Sequence, residues 1–305
     1  MSWIELSRDI FNPNKGCYPG HRPVENLIKN GILILDKWSG PTSHDVVSYV
    51  KKALELNKAG HSGTLDPAVT GVLIVALENA CKVMPALQGL DKEYIGIMKL
   101  HKNASIDAVL KDFLGSIKQT PPVRSSVKRQ ERERKIYEFE IIEKSNRDIC
   151  FRVKCEKGTY IRKLVDDIGK KIGGAHMTEL RRISAGRFTE ENSYSLNQIK
   201  EAYENWKKTG SDEIRKMILP VEEATEHLGK IVIKDTAVSS VANGAVLYTE
   251  GISRYENTIK KNDLVAIYTL RGELLALAMS LTDTHKLRKK SPIAQPTRII
   301  LQKSA

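Results

Sequence analysis

Apolar residues fall into short unbroken runs and alternating stretches in the first half of this chain. Residues 32–35 and 72–77 are continuous apolar runs, which favours strands buried on both faces. Residues 92–100, KEYIGIMKL, and 148–155, DICFRVKC, alternate between apolar and polar side chains, which indicates strands with one buried face. The pattern predicts both kinds of strand.

Other segments repeat apolar residues every three or four positions, which predicts amphipathic helices. One follows a capping Thr42 or Ser43, and one follows Gly158-Thr159 and runs through 161–172. We also expect a helix in 104–117 and a short helix and turn in AHMTELRRISAGRF, residues 175–188. Helices therefore alternate with strands.

The pattern changes near Pro220. Residues 231–233 form a short apolar run, a small helix is predicted to end at Asn243-Gly244, and a hairpin is predicted with Arg271-Gly272 at its tip. Residues 229–303 thus indicate a mostly β domain, whereas prolines and glycines in 1–25 indicate an irregular arm.

The charge of the chain indicates what kind of molecule it binds. It has 305 residues and a formal net charge of +12, which favours a polyanion such as nucleic acid. The alternative is a protein that is merely basic. The N-terminus lacks the apolar core of a signal peptide and no apolar run has the length of a membrane span, so we expect no membrane partner.

The four cysteines form no CxxC pair, which argues against a zinc ribbon or a thioredoxin-like site. Cys150 and Cys155 are an odd number of positions apart in an alternating strand, so they lie on opposite faces and a disulfide between them is not expected. Free thiols fit a reducing compartment.

Asp66 lies in the loop AGHSGTLDPAVTG, residues 59–71, and is a candidate catalytic carboxylate. Pro67 favours extended backbone at Asp66, and Gly60 and Gly63 allow close approach to a ligand. An Asp before Pro is also ordinary turn chemistry, with its side chain bonded to nearby amides. His61 is close enough in sequence to be of interest.

Arg162, at the start of a predicted helix, is a candidate partner for Asp66. An Arg beside a lone Asp keeps it ionised and fixes its orientation, but Arg162 can equally pair with Asp166 one turn later. Tyr94 and Tyr160 offer ring faces for an unstacked base, or are ordinary strand or core residues. Spacing alone leaves these alternatives open.

The charge run KRQERERK, residues 128–135, has two interpretations. It is either a solvated loop of mixed charge or a flexible basic arm that closes over phosphates. A glycine-rich phosphate loop is absent from the sequence, and the histidines show no metal-ligand spacing.

Several motifs together resemble those of a known family. GHSGTLDPAVTGVL, KEYIGIM, PPVRSSVKR, GTYIRKLVDDIG and HMTELRR stand in the order found in TruB-type pseudouridine synthases. The chain is most similar to the dyskerin-like branch in its short archaeal form, over residues 18–303, and its C-terminal part resembles a PUA RNA-binding domain. The resemblance implies that a uridine in RNA is detached from its ribose, turned and rejoined through carbon, without cofactor or metal.

The resemblance also assigns roles to residues. Asp66 matches the catalytic aspartate and Arg162 the arginine that pairs with it. Tyr160 matches an active-site tyrosine proposed to help move a proton. Tyr94 matches the tyrosine that stacks on the target base, and Leu180 an apolar residue that packs on it.

Further positions match with less defined roles. Lys37 and His61 match residues that line the site, and the segment from Lys128 and Arg129 to Lys135 matches the arm that closes on RNA. Trp38 departs from the family, which usually has Pro there, and this change is expected to alter the turn but to leave the catalytic loop intact.

The resemblance implies an α/β (α+β) architecture: a catalytic domain with a mixed, largely antiparallel sheet in 26–225 and a small β-barrel PUA domain in 229–303. The arm in 1–25 has the PUA domain as a candidate packing surface. The implied partners are H/ACA guide RNA, rRNA, tRNA and the small accessory proteins of the H/ACA ribonucleoprotein, in the cytoplasm. The alternative function is a non-catalytic RNA-binding scaffold of the same fold.

Overall fold

The computed structural model describes residues 2–13, 16–121 and 130–301. Its strands in chain order are β1 (Trp3–Glu5), β2 (Gly31–Lys37), β3 (Ala59–His61), β4 (Thr70–Leu77), β5 (Lys92–Leu100), β6 (Gly115–Gln119), β7 (Arg132–Ser145), β8 (Asp148–Cys155), β9 (Ala175–Ala185), β10 (Phe188–Thr189), β11 (Ile218–Pro220), β12 (Gly229–Ile233), β13 (Leu247–Tyr248), β14 (Ile252–Glu256), β15 (Leu264–Tyr268), β16 (Leu274–Ser280) and β17 (Pro292–Ile299). The α-helices are α1 (Val24–Asn30), α2 (Ser43–Ala53), α3 (Met84–Gln88), α4 (Asp107–Leu110), α5 (Ile161–Ile172), α6 (Leu196–Thr209) and α7 (Asp235–Ala242).

The larger sheet carries the segments with candidate chemistry. Its order is β11-β2-β4-β9-β5-β8-β7-β6, with β3 added to β4 and β10 to β9. The β4–β9 pair is parallel, whereas the other pairs in this sheet are antiparallel. This confirms the α+β fold with a mixed, largely antiparallel sheet.

Helices α2, α5 and α6 cover one face of this sheet and enclose its core with it. α2 begins at a capping box between Thr42 and Asp45, which satisfies amides of the first turn. The buried stripe of α5 includes Leu164, Val165 and Ile168, each 0% exposed. The amphipathic patterns therefore predicted both helices correctly.

The prediction of a helix over 104–117 is wrong in its second half. α4 is a single short helix extended by a 3-10 turn, and the chain then enters β6, with Gly115 at a φ of +79°. Residues of β6 pair with β7, Ile117 opposite Arg134. Pairing with a neighbouring strand thus overrides the local helical spacing.

The predicted short helix in 175–188 is also wrong, because this segment is the long strand β9. β9 pairs with β5 on one side and with β4 on the other. Of the charge run at 128–135, residues from Arg132 onward belong to β7 rather than to a loop. Lys128 and Arg129 lie outside the described residues.

The second sheet has the order β1-β14-β12-β15-β16-β17-β13 and includes one parallel pair, β12 with β15. β15 and β16 form the predicted hairpin, and α7 ends at Ala242, with Asn243 as its C-cap and Gly244 at a φ of +85°. β1 adds the arm to this sheet through Trp3 opposite Glu256. A shared apolar core joins the two sheets, with Ile32 and Ile74 from one and Ala266, Leu274, Leu277 and Ile300 from the C-terminal region.

A buried ionic group holds the arm against the second sheet. The Arg22 guanidinium donates two hydrogen bonds to Glu222, at 2.8 and 2.7 Å, and lies 3.9 Å from Glu273. Glu273 accepts from the Cys17 amide at 3.1 Å, and Glu222 accepts from the Leu274 amide at 2.8 Å. A buried pair of this kind is bonded at both ends, as burial of charge requires.

Candidate active site

Lys37, at the end of β2, organises the loop that carries Asp66. Its side chain is 0% exposed, and its ammonium donates to the carbonyl oxygens of Trp38 at 2.9 Å, Pro67 at 3.0 Å and Val69 at 2.9 Å. It also lies 3.4 Å from the Asp66 carbonyl oxygen. Burial lowers the pKa of Lys37, and the Asp66 carboxylate opposes this shift. Lys37 therefore lies beneath the site, where it holds the loop rather than reaching a ligand.

Two further contacts fix the same loop. The buried Ser43 hydroxyl, at the start of α2, donates to the Leu65 carbonyl at 3.1 Å and accepts from the Leu65 amide at 2.8 Å. The Gly40 amide donates to the Pro67 carbonyl at 2.9 Å. Asp66 is thus flanked on both sides by anchored backbone, which limits the orientations available to its side chain.

Arg162 and Asp66 form an ion pair across the mouth of the site. Arg162 is the second residue of α5, and its Nη2 lies 2.5 Å from Asp66 Oδ2. The two side chains are 53% and 50% exposed, so the carboxylate is open to a ligand while a guanidinium orients it. Of the alternatives left open by the sequence, the structure has Arg162 bonded to Asp66.

The start of α5 is held from a third element. The Gln119 side chain, buried at the end of β6, accepts from the Tyr160 amide at 3.0 Å and donates to the Tyr160 carbonyl at 3.2 Å. This pairing fixes the backbone two residues before Arg162. It connects β6 to the residues that carry the ion pair.

One face of the central strands forms the floor of the site. Tyr94 on β5 is opposite Arg182 on β9, and Gly96 is opposite Leu180. Tyr94 and Leu180 are each 8% exposed, and burial raises the pKa of Tyr94. A Cβ on Gly96 would lie 2.9 Å from Leu180 Cδ1, so glycine lets Leu180 settle on the sheet.

Arg182 is a buried cation at the centre of this floor. Its side chain donates to the carbonyl of Val72 at 2.7 Å and to that of Gly63 at 3.3 Å. Its charge contributes to the lowered pKa of both Lys37 and His61. It therefore ties the Asp66 loop to the sheet and makes the site electropositive.

His61, at the end of β3, lies at the edge of the site and carries a neutral imidazole. Burial, followed by the nearby His44 and Arg182, lowers its pKa to about 4. The His44 and His61 rings meet edge to face, with centroids 5.1 Å apart. Among the described residues, His61 Nδ1 is buried without a hydrogen-bond partner. This leaves a polar atom available to a ligand or a water.

The structure thus brings Asp66, Arg162 and Tyr160 to one loop–helix junction, with Lys37 under the loop. Tyr94, Leu180 and His61 come from the strands around it. Sequence reasoning missed the contribution of Arg182 and Gln119. Arg182 is two residues from Leu180 and so shares its face of a strand, a signal hidden by the helix predicted there. Gln119 has no comparable signal.

Other kinds of site are not evident in the described part of the chain. No group of three or more His, Cys, Asp or Glu residues is arranged to hold a metal ion across residues 2–13, 16–121 and 130–301. Within the same ranges, no helix combines the length and apolarity needed to cross a membrane. The cysteines at 17, 81, 150 and 155 are free thiols.

Four family models match successive parts of the chain. They are the DKCLD domain at residues 7–47, the N-terminal domain of TruB family pseudouridylate synthase at 51–105 and 101–161, the tRNA pseudouridylate synthase B C-terminal domain at 162–226, and the PUA domain at 229–292. The first three include the Asp66 loop and α5, and the last falls on the second sheet.

Whole-chain relatives agree with these matches. A probable tRNA pseudouridine synthase B of Methanopyrus kandleri is 50% identical over 274 residues, which is 88% of this chain and 81% of the relative. A solved Cbf5-Nop10-Gar1 complex has a chain 44% identical, with a TM-score of 0.93, covering 99% of this chain and 94% of that one.

A second solved structure, an H/ACA RNP bound to a substrate RNA containing 2'-deoxyuridine, has a chain 42% identical with a TM-score of 0.92. That match covers 99% of this chain and 95% of the solved one. The similarity therefore extends through both sheets and is not confined to the motif segments. The chain belongs to the TruB family of pseudouridylate synthases.

Proposed function

We propose that this chain isomerises uridine to pseudouridine in RNA with Asp66 as the catalytic carboxylate. The observation that carries the proposal is the half-exposed Asp66–Arg162 ion pair on a loop anchored from beneath by Lys37. The guanidinium orients the carboxylate and offsets the repulsion between it and nearby RNA phosphates. A surface ion pair that only stabilises a fold contributes little and does not need an anchored loop beneath it.

In the proposed reaction, the bond between ribose C1′ and uracil N1 breaks and a bond between C1′ and C5 forms. N1 gains a proton and C5 loses one, so the overall reaction is an isomerisation. We assign Asp66 to act at the sugar or as a base, and Tyr160 to help move the C5 proton. Retention of the detached base keeps its reattachment effectively intramolecular.

The floor of the site supports binding of an extruded base. Removal of a base from its stack costs a few kcal/mol, which stacking and edge contacts in a pocket offset. Tyr94 and Leu180 supply an aromatic and an aliphatic side chain in diagonal positions on β5 and β9. The unpartnered His61 Nδ1 offers one polar contact at the margin.

Two substrate modes follow for this chain. One is guide-directed modification of rRNA within an H/ACA ribonucleoprotein that contains guide RNA and small accessory proteins, and the other is guide-independent modification of the T-loop uridine of tRNA. The net charge of +12 supports RNA as the partner, and the free thiols support a cytoplasmic location. We assign catalysis to 26–225 and RNA binding to 229–303, with the arm 1–25 packed on the latter.

A single-turnover tritium-release assay tests the reaction. RNA labelled with tritium at uridine C5 is incubated with the full chain, with and without a guide RNA and accessory proteins. Wild type should release tritium, and Asp66→Asn should not. Equal release from the two proteins would show that the chain is a non-catalytic RNA-binding scaffold of the same fold. Sequencing of the RNA that copurifies with the chain then separates the two substrate modes.

A further inference from the structure

Trp38 and Tyr49 form a stacked aromatic pair on the surface. Their ring centroids are 6.2 Å apart with an interplanar angle of 18°, the geometry of an offset stack. Trp38 is 39% exposed and Tyr49 is 46% exposed. Part of each ring is therefore uncovered, and the pair presents more aromatic surface than either side chain alone.

The pair is attached to the loop that carries Asp66. Trp38 follows Lys37, and its carbonyl shares the Lys37 ammonium with the carbonyls of Pro67 and Val69. The Gly40 amide, two residues after Trp38, donates to the Pro67 carbonyl. The position of Trp38 is thus fixed by the same contacts that fix Asp66, and a fixed ring loses little entropy when it binds.

Tyr49 is held by the other side of the site. It lies on α2, whose first turn is fixed by the capping box at Thr42 and by the bond of Ser43 to Leu65 in the Asp66 loop. Lys51 and Lys52, in the last turn of the same helix, are exposed cations. Of the two, Lys52 is three positions after Tyr49 and therefore lies on the same face of the helix.

We propose that Trp38 and Tyr49 form a stacking platform for an unpaired nucleotide that adjoins the target uridine. This inference rests on the proposed function, because it requires RNA in the site. Every base has a ring face that can stack on an aromatic side chain without sequence preference.

An RNA base suits this surface better than a protein partner does. The surface is small, it is continuous with the backbone of Asp66, and it belongs to a chain with a net charge of +12. Protein interfaces bury charged residues reluctantly at their centre, whereas Lys52 is three positions after Tyr49 and so on the same face of α2. A base beside the target uridine would have its phosphates within reach of this cation.

Tryptophan fluorescence tests the contact directly. The chain has three tryptophans, so the full-length variant Trp3→Phe/Trp206→Phe retains Trp38 as its reporter. Addition of a tRNA transcript should quench this emission through base stacking. The matched variant Trp3→Phe/Trp38→Phe reports on Trp206, which packs beside Tyr203 on α6, and it should be quenched far less. Equal quenching of both reporters, or of neither, would overturn the proposal.

Binding and turnover give the second readout. Trp38→Ala should raise the Kd for the tRNA transcript about 5- to 150-fold, the range expected for loss of one stacked base, with kcat at saturating RNA unchanged. Trp38→Phe keeps a ring and should restore most of the affinity. If wild type releases tritium but Trp38→Ala binds with an unchanged Kd, the platform is wrong and the proposed function stands. If wild type releases none while RNA still quenches Trp38 selectively, the reaction is wrong and the platform stands.

Discussion

Gln119 and Tyr160 are paired as two backbone peptides would be, with a side-chain amide taking the place of one peptide. Gln119 both accepts from the Tyr160 amide and donates to its carbonyl. The pairing fixes the residue that precedes α5, and Arg162 projects from the first turn of that helix toward Asp66. A strand at the sheet edge thereby sets the position of the ion pair in the site.

Replacement of Gln119 by Leu should loosen this junction. The Tyr160 amide would lose its partner, which costs about 1–3 kcal/mol when water cannot replace it, whereas the Tyr160 carbonyl keeps its bond from the Leu164 amide. We expect kcat for tritium release to fall about 10- to 100-fold with less than a threefold change in the Kd for RNA. Lys118→Leu, on the exposed side of the same strand, is the control. A Gln119→Leu protein with normal kcat would show that the pairing is dispensable.

Removal of the Arg162 guanidinium should impair the reaction without impairing the fold. The pair is half exposed, so its contribution to stability is about 0–1 kcal/mol. Its loss should lower single-turnover release by about 10²- to 10³-fold, because Asp66 is then no longer oriented and its charge no longer compensated. Lys163→Ala, next to it on α5, should retain near-normal release. A large loss of RNA affinity in Arg162→Ala would instead assign Arg162 to RNA binding.

Lys37 should be required for both stability and activity, although no substrate touches it. Lys37→Met would leave the carbonyls of Trp38 and Val69 without this donor, at a cost of about 2–4 kcal/mol, whereas the Pro67 carbonyl keeps the Gly40 amide. The free energy of unfolding in urea should fall by that amount, and release should fall because Asp66 loses its fixed position. Lys29→Met, an exposed change on α1, is the matched control. Unchanged stability would mean that water replaces the ammonium.

The sequence predicted secondary structure correctly where the pattern within a segment is enough to determine it. The stripe of α5 is repeated within one helix, and the runs at β2 and β4 need no knowledge of their neighbours. β9 failed for the opposite reason, since its pairing with β5 is set by residues about 80 positions away. The error also concealed Arg182, whose alignment with Leu180 exists only on a strand.

The candidate site shows the same division. Motifs indicated Asp66, Arg162 and the tyrosines, but not which groups would lie in water and which would be buried. Lys37 was expected to line the site, and its complete burial follows from carbonyls of residues 67 and 69, which the chain brings back over it. Gln119 depends on a contact between segments 41 residues apart.

Acid should destabilise the protein through His61. Burial, His44 and Arg182 lower its pKa from 6.5 to about 4, so the unfolded chain binds a proton in this window that the native state does not. The stabilisation is complete above pH 6.5 and is lost as pH falls toward 4, by about 1–2 kcal/mol allowing for solvent screening. Urea unfolding across this range should have a shallower pH dependence in His61→Gln and an intermediate one in His44→Gln. An identical slope in wild type and His61→Gln would exclude His61 as the source.

Arg22 should be a main determinant of how the arm is held to the second sheet. Arg22→Met would leave the Glu222 and Glu273 carboxylates buried without their cation, and truncation of one partner of a buried pair costs about 3–5 kcal/mol. Glu222→Gln in the same chain should recover part of this loss, because it removes the unpaired charge. Lys207→Met breaks the exposed pair with Glu55 and should cost no more than about 1 kcal/mol. A loss in Arg22→Met as small as that of Lys207→Met would mean that the arm is held by its strand pairing rather than by the buried charges.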